Sequence, residues 1–350
     1  MRYRTSRLVA LVAPLGAALG MQDMAGRTVP VQEPVPSVYS TSPVGEIFLY
    51  TLAPGKVAGV CWKLRPRERP WLLPTYAALP VLGGWFGKSA SANLEEIVRV
   101  HPGAIVSAGL ADAAAVQSAD RLQEKTGLPV VVVHGEFDSI PASYRFLGRL
   151  VDRTARADTL ARWSESVIAG LRARTASRKA RGVAPSIYYA EGLHGLETDP
   201  GGSMHTELVE RVGGRNVARV PLQQGFGRSP VSFEQILSWD PDWILVGEDH
   251  TDSLGDHTWE KLRQDPRWKL LRTVKERRIV RIPDQPFNWF DRPPAPSRLL
   301  GALWLESILF PADMPRERFL ERFREFFRLF YHRALSPRDE SEILEGAWPG

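Results

Sequence analysis

The chain has 350 residues and a net charge of +5, with 43% hydrophobic and 24% charged residues. This length allows two domains that each bury a core, and the ordinary composition excludes wholesale disorder and a bundle of membrane helices. The basic residues are scattered, and their densest stretch, 153–181, is typical of the solvated face of a long helix and not of a nucleic-acid surface. The charge still permits an anionic ligand or an acidic partner.

The first twenty residues have the layout of a secretory signal peptide. Arg2, Arg4 and Arg7 precede the apolar run LVALVAPLGAALG, which is too short to span a bilayer, and no later segment reaches the required length. We therefore predict an exported, soluble protein that starts near Met21. The lone cysteine, Cys61, is far from the cleavage region, which excludes lipoprotein attachment, and we expect it to be a small buried apolar residue.

Short strands and helices alternate in the first half of the chain. GRTVPVQ, SVYSTSP and KVAGV predict strands, with a helix from about Glu46 to Leu52 between the second and the third. A loop rich in Pro and Arg follows at 64–80, and a helix at about 112–126 then leads into the strand LPVVVVHG. The alternation predicts an α/β lobe that closes near residue 150.

A helix without proline is predicted from Thr154 to Arg181, and at about 1.5 Å per residue it would run roughly 40 Å, enough to bridge two lobes. The pattern then restarts with the strand SIYYAEG, the loop LHGLETDPGGS, the helix MHTELVERVGG and the strand NVARV. After RIVRIP, an aromatic loop leads into another helix. The tail is strongly amphipathic, and we expect it to pack on the body of the protein and not on a membrane.

A fourteen-residue segment occurs twice without a gap, as NLEEIVRVHPGAIV from Asn93 and as SFEQILSWDPDWIL from Ser232. Each copy opens with an N-cap residue and has Glu96 or Gln235 three positions later, the spacing of a capping box. Apolar residues at i, i+3 and i+4 give the helix a buried face, and a proline ends it before a strand-like run. We predict two similar α/β lobes, although any doubly wound protein repeats helix–strand units.

Catalytic signatures are missing from the chain. We find no GxSxG elbow, no HExxH, no Walker A motif and no GxGxxG after a strand, and the seven histidines do not cluster at metal-ligand spacings. We therefore predict no catalytic residues, no enzyme activity and no cofactor. Whether a metal binds directly or as a chelate stays open.

Ligands of open α/β sheets bind at the carboxyl ends of the strands, so we expect a site where the two lobes face each other. The turn DPGGSMH presents free amides before a predicted helix and favours an anion there, whereas a plain helix with Ser203 as N-cap is the alternative. For each aromatic residue, core packing is the alternative. The candidate ligand-binding residues are Trp85, Phe86, Tyr189, Glu191, His194, Ser203, His205, Trp289 and Arg292.

Together these segments resemble the class III substrate-binding proteins of ABC importers, which carry iron siderophores, haem, cobalamin and some metal or oxyanion cargoes. The resemblance rests on QDMAGRTVPV, KVAGV, NLEEIVRVHP, the long helix, ERVGGRNVA, SFEQILSWDP and WFDRPPAPSRLLG, and runs from about Met21 to Pro311. It implies an α/β fold of two Rossmann-like lobes joined by a single long helix, with the ligand cleft between the lobes. The implied segments are a signal peptide at 1–20, an N-terminal lobe at 21–153, a connecting helix at 154–181, a C-terminal lobe at 182–311 and a helical tail at 312–350.

The resemblance also implies partners and a function. In this family one acid per lobe docks onto arginines of the transporter, and the matching positions are Glu95 and Glu234; the helix dipole favours an acid there in any case. The resemblance predicts a monomeric periplasmic receptor that binds no nucleic acid. It would capture a metal complex, such as an iron-siderophore-like chelate, for the permease and ATPase of an inner-membrane ABC importer. A molybdate, tungstate or other anion receptor, an exported enzyme and a sensory or scaffold module are the alternatives.

Overall fold

The computed structural model describes residues 20–31, 33–86, 89–90, 92–222, 228–248 and 258–349. The predicted signal peptide, apart from Gly20, lies outside these ranges. The strands are β1 (Met21–Gln22), β2 (Thr28–Val29), β3 (Val38–Ser40), β4 (Trp85–Phe86), β5 (Ser89–Ala90), β6 (Ala104–Gly109), β7 (Val130–His134), β8 (Ser186–Ala190), β9 (Glu197–Thr198), β10 (Arg215–Asn216), β11 (Ser229–Pro230), β12 (Trp243–Val246) and β13 (Ile279–Arg281).

The helices are α1 (Pro43–Leu52), α2 (Pro74–Ala77), α3 (Leu94–Val100), α4 (Ala113–Thr126), α5 (Ile140–Leu150), α6 (Thr154–Ala180), α7 (Glu207–Arg211), α8 (Phe233–Trp239), α9 (Thr258–Gln264), α10 (Arg272–Lys275), α11 (Arg298–Leu309), α12 (Arg316–Phe330) and α13 (Pro337–Ile343). Short 3-10 turns lie at Pro54–Lys56, Arg69–Trp71, Phe137–Ser139 and Trp268–Leu270.

The N-terminal lobe is built on a parallel sheet with the strand order β3-β6-β7. Helices α1, α4 and α5 pack against these strands, which explains why the strands are nearly continuous apolar runs. The predicted KVAGV strand does not form a continuous ladder. After the Ala58 amide donates to the Val38 carbonyl, the chain leaves β3, and Val60 exchanges hydrogen bonds with 80–82 instead.

The C-terminal lobe has a four-stranded parallel sheet with the order β10-β8-β12-β13. Strand β12 lies inside the sheet, since Trp243–Val246 pair with Ile187–Ala190 on one side and Ile244–Val246 with Ile279–Arg281 on the other. Of the predicted strand NVARV, only Asn216 lies in a strand, β10, which begins one residue earlier at Arg215. Two parallel α/β sheets with surrounding helices confirm the predicted fold class.

The repeated segment has the predicted conformation in both copies. Helices α3 and α8 each have seven residues, begin at the N-caps Asn93 and Ser232, and end at left-handed residues, His101 (φ 52°) and Asp240 (φ 39°). The full capping box forms in α8, whereas in α3 the Glu96 carboxylate binds Arg99 instead. Each helix leads into a strand that is paired on both sides, β6 or β12.

Helix α6 has 27 residues and packs against α5 in the N-terminal lobe and against α7 and α11 in the C-terminal half. Gly148 permits the close approach of α5, because a Cβ atom there would lie 2.3 Å from the Cβ of Ala157. Near the other end, Arg178 is fully buried and its guanidinium lies 2.6 Å from Glu306 of α11 and 2.7 Å from Asp313. The helix is therefore held on both lobes; the exact domain boundaries stay a prediction.

The C-terminal tail packs on the body of the protein, as predicted. Its helix α12 buries Phe319, Phe323, Phe326, Phe327 and Phe330 completely. Their rings meet Trp163 of α6, with a centroid distance of 5.3 Å from Phe326, and Trp289, with 5.6 Å from Phe323. Among the described residues, no helix combines the length and apolar character needed to cross a membrane.

Candidate functional site

Two loop regions meet at the carboxyl edge of the C-terminal sheet. Glu191 follows β8 directly, and Asp199 and His205 lie between β9 and α7. Asp291 and Arg292 lie in the loop that follows β13. Since the strands are parallel, these loops leave the sheet on the same edge, which is where ligands of open α/β sheets bind.

Asp199, His205 and Asp291 form a buried group whose side chains are capable of holding a metal ion. They are 2%, 6% and 0% exposed, and one ligand atom from each lies within 4.8 Å of the others. Nδ1 of His205 is 3.4 Å from Oδ2 of Asp291 without a hydrogen bond between them. Imidazole nitrogen and carboxylate oxygen are common ligands of divalent metals. Within the described ranges, no other such group of three is found.

Arg292 lies among the acidic side chains of this group. Its Nη1 atom is 2.6 Å from Oε1 of Glu191 and also pairs with Asp291, while its Nη2 atom is 2.7 Å from Oδ2 of Asp199. A second guanidinium, that of Arg228, approaches Oε1 of Glu191 at 3.0 Å. The guanidinium of Arg292 is therefore neutralised by three carboxyl groups, which makes it a poor anchor for a free anion.

The pKa values of Glu191 and Asp291 are shifted in opposite directions. Burial raises the pKa of Glu191 well above its ordinary value, although Arg292 and Arg228 oppose the change. Burial also acts to raise the pKa of Asp291, but Arg292, His205 and Tyr189 outweigh it and hold that pKa below its ordinary value. The second carboxylate oxygen of Glu191 is buried and has no hydrogen-bond partner. The site thus contains an ionised Asp291 and a buried oxygen atom of Glu191 that has no hydrogen-bond partner.

Neighbouring residues fix the orientation of the two aspartates. The hydroxyl of Tyr189 donates to Oδ1 of Asp291 at 2.9 Å, and the Tyr189 ring packs edge-on against Phe290 at 5.0 Å. The hydroxyl of Ser203 donates to Oδ1 of Asp199 at 3.0 Å and accepts the His205 amide at 3.2 Å. These contacts leave the aspartates little freedom to rotate.

The helix that follows DPGGSMH begins later than the sequence pattern predicts. Helix α7 starts at Glu207 with Thr206 as N-cap, so Ser203 is not an N-cap residue. Residues 200–206 instead form turns, in which the Ser203 amide donates to the Pro200 carbonyl and the Thr206 amide to the Ser203 carbonyl. The predicted set of free amides at a helix terminus is therefore not formed at Ser203.

A cavity of about 320 Å³ lies between the two lobes, beside this group. On the C-terminal side its wall includes Ser203 and Pro294, which belong to the loops that carry the buried group. Arg298 also lines the cavity; it is 2% exposed, pairs with Glu207, and has a buried Nε atom without a partner. The remaining lining residues are Val44, Gly109, Leu110, Gly135 and Glu136 of the N-terminal lobe, with Gly202, Met204, Glu207 and Glu210 of the C-terminal lobe.

The structure brings together Tyr189, Glu191, Ser203, His205 and Arg292 of the candidates taken from the sequence. It also adds two residues that sequence reasoning missed, Asp199 and Asp291. Their position in the chain could have indicated them. Both are acids in loops at the carboxyl ends of strands, in the segments DPGGS and WFDRPP.

Other candidates lie elsewhere. Trp289 is fully buried against Phe323 and its neighbours on α12, and its indole donates to the Gln285 carbonyl at 3.0 Å, so it is a core residue. Trp85 is 37% exposed and lines a separate cavity of about 330 Å³ in the N-terminal lobe. His194 is exposed. The side chain of Phe86 lies outside the described part of the structure.

Two α/β lobes, a long helix packed on both and a cavity between them fit a solute-binding protein of the type that serves ABC transporters. The sequence profile described as "Periplasmic binding protein" matches residues 85–286, more than half of the chain. The chain therefore belongs to the periplasmic binding protein family, and the predicted class III type is confirmed.

Solved structures resemble this chain over nearly its whole length. An ABC transporter solute-binding protein from Sulfurospirillum deleyianum is 27% identical, with a TM-score of 0.83 over 94% of this chain and 99% of that one. Haemophilus influenzae MolA bound to molybdate is 18% identical, with a TM-score of 0.69 over 91% and 99%. TroA-like FepB from Veillonella parvula is 17% identical, with a TM-score of 0.72 over 91% and 97%. The last two show the shared fold alone, and no curated protein matches the chain.

Proposed function

We propose that this periplasmic receptor captures a metal complex, such as an iron-siderophore-like chelate, and delivers it to an inner-membrane ABC importer. The observation that carries the proposal is the buried group of Asp199, His205 and Asp291 beside the interlobe cavity. Imidazole and carboxylate ligands at such short range suit a divalent metal ion. The receptor binds and releases its cargo without changing it chemically.

The buried aspartates of this group favour a cationic centre in the cargo because their carboxylate oxygens are metal ligands. Three acidic side chains, Glu191, Asp199 and Asp291, contact two guanidinium groups, those of Arg292 and Arg228. The cavity of about 320 Å³ is at the small end of the range of about 300–1,000 Å³ that is typical of small-molecule sites. Among siderophore-like metal chelates, this volume favours a compact one.

An oxyanion such as molybdate or tungstate is the second candidate. The observation in its favour is the buried Nε–H of Arg298, which lacks an acceptor and belongs to a residue that lines the cavity beside Ser203. MolA, which shares the fold, is described as bound to molybdate. Against this candidate, the Arg298 guanidinium already pairs with Glu207.

The proposal includes how the receptor reaches and serves its transporter. The signal peptide at 1–20 exports the chain, which works as a monomer and binds no nucleic acid. Glu95 and Glu234, one on each lobe, dock onto the permease. Support comes from their placement, since both are exposed and occupy the first turn of the two equivalent helices α3 and α8.

Native mass spectrometry with elemental analysis, on protein purified from its own periplasm, tests the cargo. We expect a first-row transition metal with a small organic chelator, and we expect Asp199→Asn to lose both. Asp158→Asn, a half-exposed acid on α6 that lies far from the group in sequence and pairs with Arg145, is the matched control and should keep the cargo. Recovery of molybdenum or tungsten would instead establish the oxyanion receptor.

A further inference from the structure

We infer that Arg292 is an internal counter-cation, and that the metal of the cargo replaces its guanidinium and is coordinated directly by Asp199, His205 and Asp291. This inference rests on the proposed function, because it specifies how that metal is held. The protein would then supply ligands to the metal itself. A receptor that surrounds a fully coordinated chelate would not.

Arg292 occupies the position that a metal ion would take. The Arg292 guanidinium contacts three buried carboxyl groups, those of Glu191, Asp199 and Asp291. Two of these also belong to the group whose ligand atoms lie within 4.8 Å of one another. Arg292 and a metal ion would therefore compete for the carboxylates of Asp199 and Asp291, which need a cation beside them when buried.

Two buried polar atoms next to Arg292 lack hydrogen-bond partners. Oε2 of Glu191 and Nδ1 of His205 are both buried without hydrogen-bond partners, on residues that are 1% and 6% exposed. Buried polar atoms are rarely left in this state, and each one calls for an explanation such as a ligand. A metal ion next to His205 would use its Nδ1 lone pair, which Arg292 as a hydrogen-bond donor does not reach in this structure.

Arg292 is more exposed than the three acids that it contacts. Glu191, Asp199 and Asp291 are at most 2% exposed, whereas the Arg292 side chain is 26% exposed. Arg292 is thus the member of the group that reaches solvent. It is followed two residues later by Pro294, which lines the interlobe cavity. The Arg292 side chain is therefore the one that could leave the group most easily when a metal ion takes its place.

The ligand types restrict the metal. Ca²⁺ and Mg²⁺ prefer oxygen ligands alone, and Cu⁺ prefers sulfur, but the lone cysteine of the chain, Cys61, is buried in the other lobe. One imidazole with two carboxylates suits Mn²⁺, Fe²⁺, Co²⁺, Ni²⁺ or Zn²⁺. The coordination positions that the protein leaves open would be filled by water or by a small chelator in the cavity.

Titration calorimetry with the chlorides of Zn²⁺, Ni²⁺ and Mn²⁺, on metal-stripped mature protein, tests this inference. We expect one equivalent of at least one ion to bind, and Asp291→Asn and His205→Ala to weaken it about tenfold or more. Arg292→Gln removes the competitor and should bind about tenfold more tightly. Arg267→Gln, an exposed arginine of the same lobe, is the matched control and should bind like the wild type.

Arg292→Lys keeps the positive charge and provides the second variant if Arg292→Gln does not fold; it should bind close to wild-type affinity. X-ray absorption of the loaded protein should show nitrogen and oxygen ligands that include one imidazole.

Weaker metal binding by Arg292→Gln than by the wild type would overturn the role of Arg292. No binding of any of the three ions by any variant would overturn direct coordination, while a chelate recovered from the periplasm would still support the proposed function.

Discussion

At the scale of single residues, the N-terminal lobe contains a buried acid that is separate from the candidate site. Glu46 of α1 is 1% exposed and accepts hydrogen bonds from the Tyr76 hydroxyl at 2.6 Å and from the Cys61 amide at 2.5 Å. Burial raises the pKa of Glu46 to about 7, helped by the nearby charge of Glu68 and opposed by these hydrogen bonds. Folding is therefore coupled to the protonation of Glu46.

We expect Glu46→Gln to flatten the pH dependence of stability. The folded-state pKa, about 7, lies above the ordinary value of 4.5, so the stability that Glu46 contributes is fully present below pH 4.5 and is lost as the pH rises through 7. The whole loss corresponds to roughly 3 kcal/mol. Urea unfolding from pH 4 to 8 measures it, with the exposed Glu321→Gln as control. An unchanged slope in Glu46→Gln would contradict the coupling.

The sequence indicated part of the candidate site at this scale. Glu191, Ser203, His205 and Arg292 were found because they lie in loops that follow predicted strands. Asp199 and Asp291 were missed, because nothing local distinguishes a ligand aspartate from the many loop aspartates of a soluble chain. Trp289 was predicted to line the cleft because it lies in a loop after a strand. In the structure its indole is buried against α12.

At the scale of elements, the repeated helices α3 and α8 were predictable to the residue because their signals are local. An N-cap side chain, a helical apolar stripe and a proline after the C-cap specify a helix with little help from the rest of the fold. Helix α7 was predicted too long, because Ser203 uses its hydroxyl to hold Asp199 and not to cap a helix.

Helix α12 was predictable as an amphipathic helix, but its partners were not. Its buried phenylalanines fill a space between Trp163 of α6 and Trp289 of the loop after β13. The tail thus braces the connecting helix and the loop that carries Asp291 and Arg292. Its removal is expected to affect the site as well as the stability of the fold.

We expect Phe323→Ala to destabilise the protein by roughly 3–5 kcal/mol, because its fully buried ring meets Trp289 and Phe327 and would leave a cavity. Arg318→Ala, at an exposed position of the same helix, should change the free energy of unfolding by no more than about 0.5 kcal/mol. Guanidinium unfolding of the two variants compares these values. Equal stabilities would show that the tail does not brace the fold.

At the scale of the whole molecule, the two lobes each present one of the equivalent helices α3 and α8. Each helix carries one exposed acid in its first turn, Glu95 or Glu234, and each leads into an inner strand of its own sheet. The carboxylates are thus attached to rigid parts of both lobes. A transporter that holds both would be able to control the separation of the lobes and, with it, the interlobe cavity.

We expect the double variant Glu95→Lys/Glu234→Lys to lose uptake by at least about tenfold, since each docking contact would change from attraction to repulsion. Its affinity for cargo should stay within about twofold of the wild type, because neither residue belongs to the candidate site. The control is Glu124→Lys/Glu260→Lys, which reverses two exposed acids on α4 and α9. Uptake by the protein together with its importer in proteoliposomes measures the effect, and normal transport by the first double variant would refute the docking role.

By itself, the sequence determined the elements and their order, because caps, apolar periodicity and proline stops act over a few neighbouring residues. It therefore indicated two α/β lobes, the long helix α6 and an amphipathic tail. Only the tertiary structure decided which residues come together in the candidate site. Asp199, His205, Asp291 and Arg292 are up to about ninety residues apart, and it is the parallel pairing of β8, β12 and β13 that brings their loops to one edge of the sheet.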